Sequence, residues 1–145
     1  MSVRIDPFRN FRFLVQVDGI ERAGFSDVVF GNAATEIIEY REGTDLPVMR
    51  KLSGLTRYGT IQLRWGITDS RELYDWHREI VASGAGTLRR NMTILLLGDD
   101  GAEKSRWEVA NAWPVRYDPP DFSARESRVA IEMLEIVHEG FERVR

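Results

Sequence analysis

The chain has 145 residues, of which 43% are apolar and 30% charged, and its net charge at neutral pH is −3. This length predicts one domain over residues 1–145 with a sizeable core, and the slight acidic excess argues against general nucleic-acid binding. The absence of cysteine excludes disulfides, thiolate metal sites and cysteine nucleophiles.

The first elements in chain order are predicted to be strands. Apolar side chains alternate along residues 11–17, which places every second one on the same face of a strand. Asp18-Gly19 is a typical two-residue hairpin turn, because glycine tolerates a positive φ, and it leads into a second strand over residues 20–30. Residues 35–41 predict a third strand.

Residues 42–54 are predicted to form an extended loop, because they contain two glycines and a proline. Apolar side chains stand among the charges of this loop: Leu46, Val48, Met49 and Leu52. Exposing them to water is costly, so the loop either folds onto its own domain or docks on a neighbour. A further strand follows over residues 59–65, with its apolar side chains on one face.

One amphipathic helix is predicted at about residues 70–83. The residues of its apolar stripe recur at helical spacing: Leu73, Trp76, His77, Ile80 and Val81. Asp69 is positioned to cap the first turn, with Glu72 as its reciprocal partner, and Gly84 supplies the end of the helix.

The C-terminal half predicts a hairpin and one ambiguous segment. Residues 91–97 and 105–113 flank the turn sequence GDDG, which indicates a hairpin with a polar tip. The last apolar segment, residues 126–140, fits either a helical stripe or an alternating strand, and periodicity does not decide between them. The expected architecture is an antiparallel sandwich or barrel with one helix attached.

The residues predict neither a catalytic site nor a metal or cofactor site. His77 has no second ligand one helical turn away, and Glu139 follows His138 on the opposite face of any strand, so both histidines are interpreted as structural. The acidic turn at residues 98–103 lacks the ligand spacing of a calcium loop. Arginines and large aromatic residues are frequent, a composition that is typical of protein interfaces.

Three segments together resemble one family. They are DPFRNFRFLVQVDGIERAGFSDV, IIEYREGTDLPVMRKLSGLTRYGTIQLRWGITDSRELYDWH and NAWPVRYDPPDFSARESRVAIEMLEIVHEGFE, in this order along the chain. They resemble the tail tube proteins of contractile phage tails and phage-tail-like injection systems. The resemblance implies a mainly β fold, in which two packed antiparallel sheets form a small barrel flanked by one helix. That fold is similar to the haemolysin-coregulated protein of type VI secretion.

The resemblance also implies how copies associate. Six copies form a ring, and rings stack into a hollow tube that a contracting sheath drives through a target envelope. The extended loop is expected to reach a neighbouring ring, and the residues expected at interfaces between subunits or rings are Leu46, Val48, Met49, Arg50, Leu52 and Tyr117. The final segment is expected to be a strand over residues 128–138, and Pro114 to end regular pairing just after Trp113, with Phe122 packing at a barrel corner.

The partners implied are further copies of the chain, the sheath protein, baseplate or spike and terminator proteins, and cargo or DNA in the lumen. The charged N-terminus has no apolar stretch typical of a secretory leader. The resemblance implies assembly in the bacterial cytoplasm, followed by incorporation into a phage tail or a phage-tail-like particle. Two alternatives stay open at this point. One is a tube-initiator ring at the baseplate of the same kind of particle, and the other is a small β-barrel that binds a ligand.

Overall fold

The structure is a computed structural model, and it describes residues 12–18, 20–41, 43, 48–66, 71–84, 86, 88–121 and 130–145. In this part of the chain one helix stands among nine strands. In chain order the elements are β1 (Arg12–Val17), β2 (Ile20–Phe30), β3 (Ala33–Tyr40), β4 (Arg50–Tyr58), β5 (Ile61–Gly66), α1 (Glu72–Ser83), β6 (Arg90–Leu97), β7 (Glu103–Asp118), β8 (Ile131–Val137) and β9 (Phe141–Arg143).

The strands form two antiparallel sheets of unequal size. The larger sheet has seven strands in the order β6-β1-β2-β5-β8-β7-β9, and β6 also pairs with β7, so that the pairings run around a small barrel. The second sheet is the β3–β4 hairpin alone. The predicted class, mainly β with two antiparallel sheets and one helix, is confirmed. The division into seven strands and two does not follow from the sequence pattern.

The core lies inside the larger sheet. Period-two alternation turns one face of β1 and one face of β5 inwards, as predicted, with Val15 and Val17 on the first strand and Ile61, Leu63 and Trp65 on the second. Opposing strands complete the core with Met92, Ile94, Val109, Leu134 and Ile136. Each fully buried aliphatic side chain of this kind contributes about 1.5–3 kcal/mol relative to an exposed one.

Helix α1 joins this core through a narrower face than its sequence predicts. Leu73 and Trp76 are buried, and the Trp76 Nε1–H donates to the Leu88 carbonyl at 2.9 Å. Val81 is 58% exposed, so its predicted place in the buried stripe is wrong. Gly84 ends the helix as predicted, with φ 78° and its N–H donating to the Ile80 carbonyl.

The predicted cap of the helix falls on Asp69, which lies outside the described residues. Arg71 occupies the N-cap position, and its side chain makes no capping hydrogen bond. Within the part of the chain that the structure describes, no helix combines the length and the apolar character needed to span a bilayer.

Strand β7 is a single element of 16 residues. The expected end of pairing after Trp113 is therefore wrong, because Pro114 faces Ile136 of β8 and the strand continues to Asp118. A register shift follows directly, between Pro114 and Arg116, and such irregularities are where a strand tolerates a residue without an N–H. Along its first part β7 pairs with β6, and along its second part with β8.

Two further segments differ in extent from their predictions. The final segment is a strand, as expected, with β8 over Ile131–Val137. The extended loop predicted at residues 42–54 is shorter, because β4 begins at Arg50. Antiparallel pairing with β3 supplies backbone partners there, which the glycines and the proline of the segment do not indicate. Leu46 and Phe122 lie outside the described residues.

Candidate assembly surface

The β3–β4 hairpin forms a sheet of its own, in continuation of the barrel strands β2 and β5. Its pairing runs from Ala33 opposite Tyr58 to Tyr40 opposite Arg50. Fifteen of its 17 strand residues are exposed, so the hairpin buries little against its own barrel. An isolated two-stranded hairpin is at best marginally stable in water, which makes a further packing partner for this element energetically favourable.

The hairpin carries an unusual share of exposed apolar side chains. We call these side chains, which are 44% to 70% exposed, the hairpin apolar set: Ile37, Ile38, Val48, Met49, Leu52 and Leu55. Single exposed apolar residues are normal on a soluble protein, but a group of six on one thin element is typical of an interaction surface.

Both faces of the hairpin contribute to this set. Ile38 is directly opposite Leu52, and Ile37 is directly opposite Ser53. Consecutive strand residues point to opposite faces, so Ile37 and Ile38 present apolar surface on the two sides of the same ribbon. A ribbon that is apolar on both sides fits between two neighbouring surfaces better than it lies on one.

A narrow neck connects the hairpin to the barrel. We define the neck as Gly31 and Asn32 on one strand and Gly59 and Thr60 on the other. The Gly31 N–H donates to the Thr60 carbonyl at 2.7 Å, and the Gly59 N–H donates to the Asn32 carbonyl at the same distance. Through these two hydrogen bonds the antiparallel pairing continues from the β2–β5 pair to the β3–β4 pair.

A sequence model of the T4-like virus tail tube protein gp19 family matches residues 9–142. The chain belongs to this family. A search of curated protein sequences found no match.

Solved structures of an extracellular contractile injection system and of Hcp1 contain chains with a similar fold. A chain of the PVC sheath–tube complex, from an extracellular contractile injection system in its extended state, is 26% identical with a TM-score of 0.78, over 97% of this chain and 90% of that one. A chain of the PVC sheath/tube terminator structure is 25% identical with a TM-score of 0.76, over 99% of both. Hcp1 from Flavobacterium johnsoniae is 20% identical with a TM-score of 0.63, over 92% of this chain and 94% of that one.

The structure brings four of the predicted interface residues of this tail tube family member together. Val48 and Met49 precede β4, and Arg50 and Leu52 lie within it, all of them exposed. Ile37, Ile38 and Leu55 are exposed on the same hairpin and were not among the predicted interface residues. Adjacent isoleucines in a predicted strand were a usable signal for the first two, because they cannot both face a barrel core.

Tyr117 lies elsewhere, between the barrel and α1. Its hydroxyl donates to Glu132 Oε2 at 2.7 Å, and its ring packs edge-on against Tyr74 at 5.1 Å and is stacked with His77 at 6.4 Å. Burial, followed by the hydrogen bond to Glu132, raises the pKa of Tyr117. These contacts are within one subunit, so a place for Tyr117 between subunits stays a prediction.

The two histidines make defined contacts within the chain. Burial and the nearby Arg78 charge lower the pKa of His77, which packs on Tyr117. The Gly140 N–H donates to His138 Nδ1 at 3.1 Å, so Nε2 carries the ring proton and donates to the Gly59 carbonyl at 2.9 Å. Within the described ranges, no three histidine or acidic side chains are grouped as metal ligands would be.

Proposed function

We propose that this tail tube family member is a structural subunit of the inner tube of a contractile injection apparatus. In this proposal six copies form a ring, rings stack into a hollow tube, and a contracting sheath drives the tube through a target envelope. The observation that carries the proposal is the exposed hairpin apolar set on an element that buries little against its own barrel.

The exposed hairpin is stabilised by a packing partner beyond its own barrel. Its strands pair with each other, and a free strand edge or an apolar ribbon is a template for a second chain. In the proposed assembly the hairpin of one copy docks on the body of the next. This contact is heterologous, so repetition closes a ring or continues along a stack. The work of penetration comes from the sheath, and the tube supplies stiffness and a conduit without catalysis.

The proposed partners follow from the family and from the similar structures. One similar chain is part of a sheath–tube complex and another of a sheath/tube terminator structure. We therefore assign this chain a sheath protein around the tube, baseplate or spike and terminator proteins at its ends, and cargo or DNA in its lumen. We place its assembly in the bacterial cytoplasm, before incorporation into a phage tail or a released injection particle.

Small-molecule binding is a second candidate function, and this fold supports it less well. A groove of about 680 Å³ lies beside the foot of the hairpin, where its lining includes Tyr58, Glu108, Phe141 and Glu142. Glu108 and Glu142 are directly opposite each other on β7 and β9, and both are exposed. Ligand sites usually enclose most of their ligand in an apolar cavity, whereas this groove is open to solvent.

Electron microscopy of the purified chain tests the proposal. We expect rings of uniform diameter, and stacked tubes at higher protein concentration. Dispersed monomers across a wide range of salt and protein concentration would overturn it. Counting copies of the chain in intact particles distinguishes a main tube subunit from an initiator ring, because an initiator is present in a single ring.

A further inference from the structure

The C-terminal segment, residues 138–141, contacts the neck at the base of the hairpin. His138 follows β8, and its Nε2–H donates at 2.9 Å to the carbonyl of Gly59, the neck residue that follows β4. The ring is itself held from the other side, because the Gly140 N–H donates to Nδ1 at 3.1 Å. One imidazole therefore links the neck to the turn between β8 and β9.

Aromatic packing surrounds this link. The Tyr58 ring, on the last residue of β4, lies 5.7 Å from the His138 ring and 5.2 Å from the Phe141 ring, measured between centroids. Phe141 in turn packs on Phe30, the last residue of β2, at 5.5 Å. Both strands that enter the neck are thus packed against residues of the C-terminal segment. Gly140 has φ 144°, a backbone conformation that favours glycine.

We propose that His138 is a positioning residue that sets the direction in which the hairpin leaves the barrel, and through it the fit of the hairpin on a neighbouring copy. The inference rests on the proposed function, in which the hairpin docks on another subunit. The two proposals are separate, because the hairpin can dock on another subunit without His138 setting its direction.

Two backbone hydrogen bonds join the strands of the neck, and its two glycines have no side chains. A side-chain hydrogen bond to the neck comes from His138. The hairpin beyond the neck is long. β3 has 8 residues, which at about 3.3 Å per residue gives a hairpin of about 26 Å. A rotation of about 10° at the neck would move the tip by about 4–5 Å, about the spacing of neighbouring strands.

Two substitutions of His138 each retain only one of the two hydrogen bonds that its ring makes. His138→Gln places an amide N–H near the former Nε2 and retains a donor for the Gly59 carbonyl. His138→Asn places an amide oxygen near the former Nδ1, so it retains the acceptor for the Gly140 N–H but is too short to reach Gly59. Neither substitution alters a side chain of the buried core, so both monomers should unfold within a few degrees of the unsubstituted chain.

The first readout is assembly, measured as the protein concentration at which tubes form. We expect His138→Gln to assemble like the unsubstituted chain, and His138→Asn to need at least about tenfold more protein, which corresponds to about 1.4 kcal/mol per added subunit. Equal assembly of the two variants, whether both succeed or both fail, would overturn the assignment. Failure of the unsubstituted chain to assemble would instead contradict the proposed function.

The second readout is the direction of the hairpin in the monomer, and it does not depend on assembly. The chain has no cysteine, so spin labels attach only at an introduced pair, Gly43→Cys near the hairpin tip and Asp99→Cys on the β6–β7 turn. We expect one narrow distance distribution for the His138→Gln background and a broader or shifted one for His138→Asn. Superimposable distributions in the two backgrounds would rule out a positioning role.

Discussion

Gly31 and Gly59 cross in direct backbone contact where the hairpin leaves the barrel. A Cβ placed on Gly31 would lie 2.6 Å from the carbonyl carbon of Gly59, and one placed on Gly59 would lie 2.8 Å from the Cα of Gly31. Real Cβ atoms are essentially never found this close to another backbone. The two strands can therefore approach here only because neither residue has a side chain.

We expect Gly31→Ala to lower the free energy of unfolding by about 1–3 kcal/mol, because the new methyl group must push two backbone segments apart. Gly43→Ala is the matched control, since a Cβ there meets nothing within 4 Å. It should change the stability by less than about 0.5 kcal/mol. Urea unfolding of the two monomers makes the comparison, and equal stability would show that the neck relaxes without strain.

Asn111 supplies a second backbone test. It lies in β7 with φ 48°, at the register shift between the pairs Val109–Met92 and Ala112–Arg90. Its Nδ2–H donates to Glu139 Oε2 at 2.6 Å. Asn111→Gly and Asn111→Val both remove this hydrogen bond, but only valine resists a positive φ. We expect the valine variant to be less stable than the glycine variant by about 1–3 kcal/mol in denaturant unfolding. The opposite order would contradict a left-handed conformation here.

The third prediction concerns the hydrogen bond of the Tyr117 hydroxyl. Tyr117→Phe removes the donor to the carboxylate of Glu132, a residue that is only 7% exposed, and should cost about 1–3 kcal/mol because that acceptor loses this hydrogen bond. Tyr74→Phe is the control, because it keeps the ring that packs on Tyr117. A similar loss in both variants would assign the effect to the removal of a hydroxyl from this aromatic cluster rather than to the hydrogen bond with Glu132.

The same residue predicts a dependence of stability on alkaline pH. Burial and the hydrogen bond to Glu132 raise the pKa of Tyr117 in the folded chain above its unfolded value of about 10. The stabilisation that this shift provides is fully present below about pH 10 and is lost as the pH rises beyond it, because only the unfolded chain then ionises. Between about pH 10 and 11 the unsubstituted chain should lose more stability than Tyr117→Phe. Parallel pH profiles would contradict the shift.

We predict that tube assembly depends on the hairpin apolar set. Leu52→Asp replaces a side chain that is 51% exposed, so the monomer should stay folded while tube formation falls sharply. Val81→Asp on α1 is the control, because it removes a similarly exposed apolar side chain from a different element. Negative-stain images scored for tube length make the measurement. Tubes of normal length from Leu52→Asp would exclude that residue from the contact.

Local patterns in the sequence determined the elements that depend on near neighbours. Alternation defined β1, and the Asp18-Gly19 turn predicted the hairpin that places Val17 opposite Ile20. Helical spacing and Gly84 defined α1 and its end. These features are governed by side-chain period and backbone freedom within a few residues, so they can be inferred without knowing the partner strands.

The tertiary structure decided what depends on pairing and burial at a distance. Pairing with β8 carries β7 through Pro114, and pairing with β3 makes a strand of residues that look like a loop. Alternation shows that a strand has two faces but not which face meets protein. The sequence therefore indicates only that one of Ile37 and Ile38 faces away from a core, and the tertiary structure shows that both are exposed. The sequence pattern predicted an antiparallel sandwich or barrel with one helix, and the pairing of β6 with β7 decided for the barrel. Only the packing of the whole chain decided that one hairpin would be left outside it, since burial is set by which distant strands fill the core.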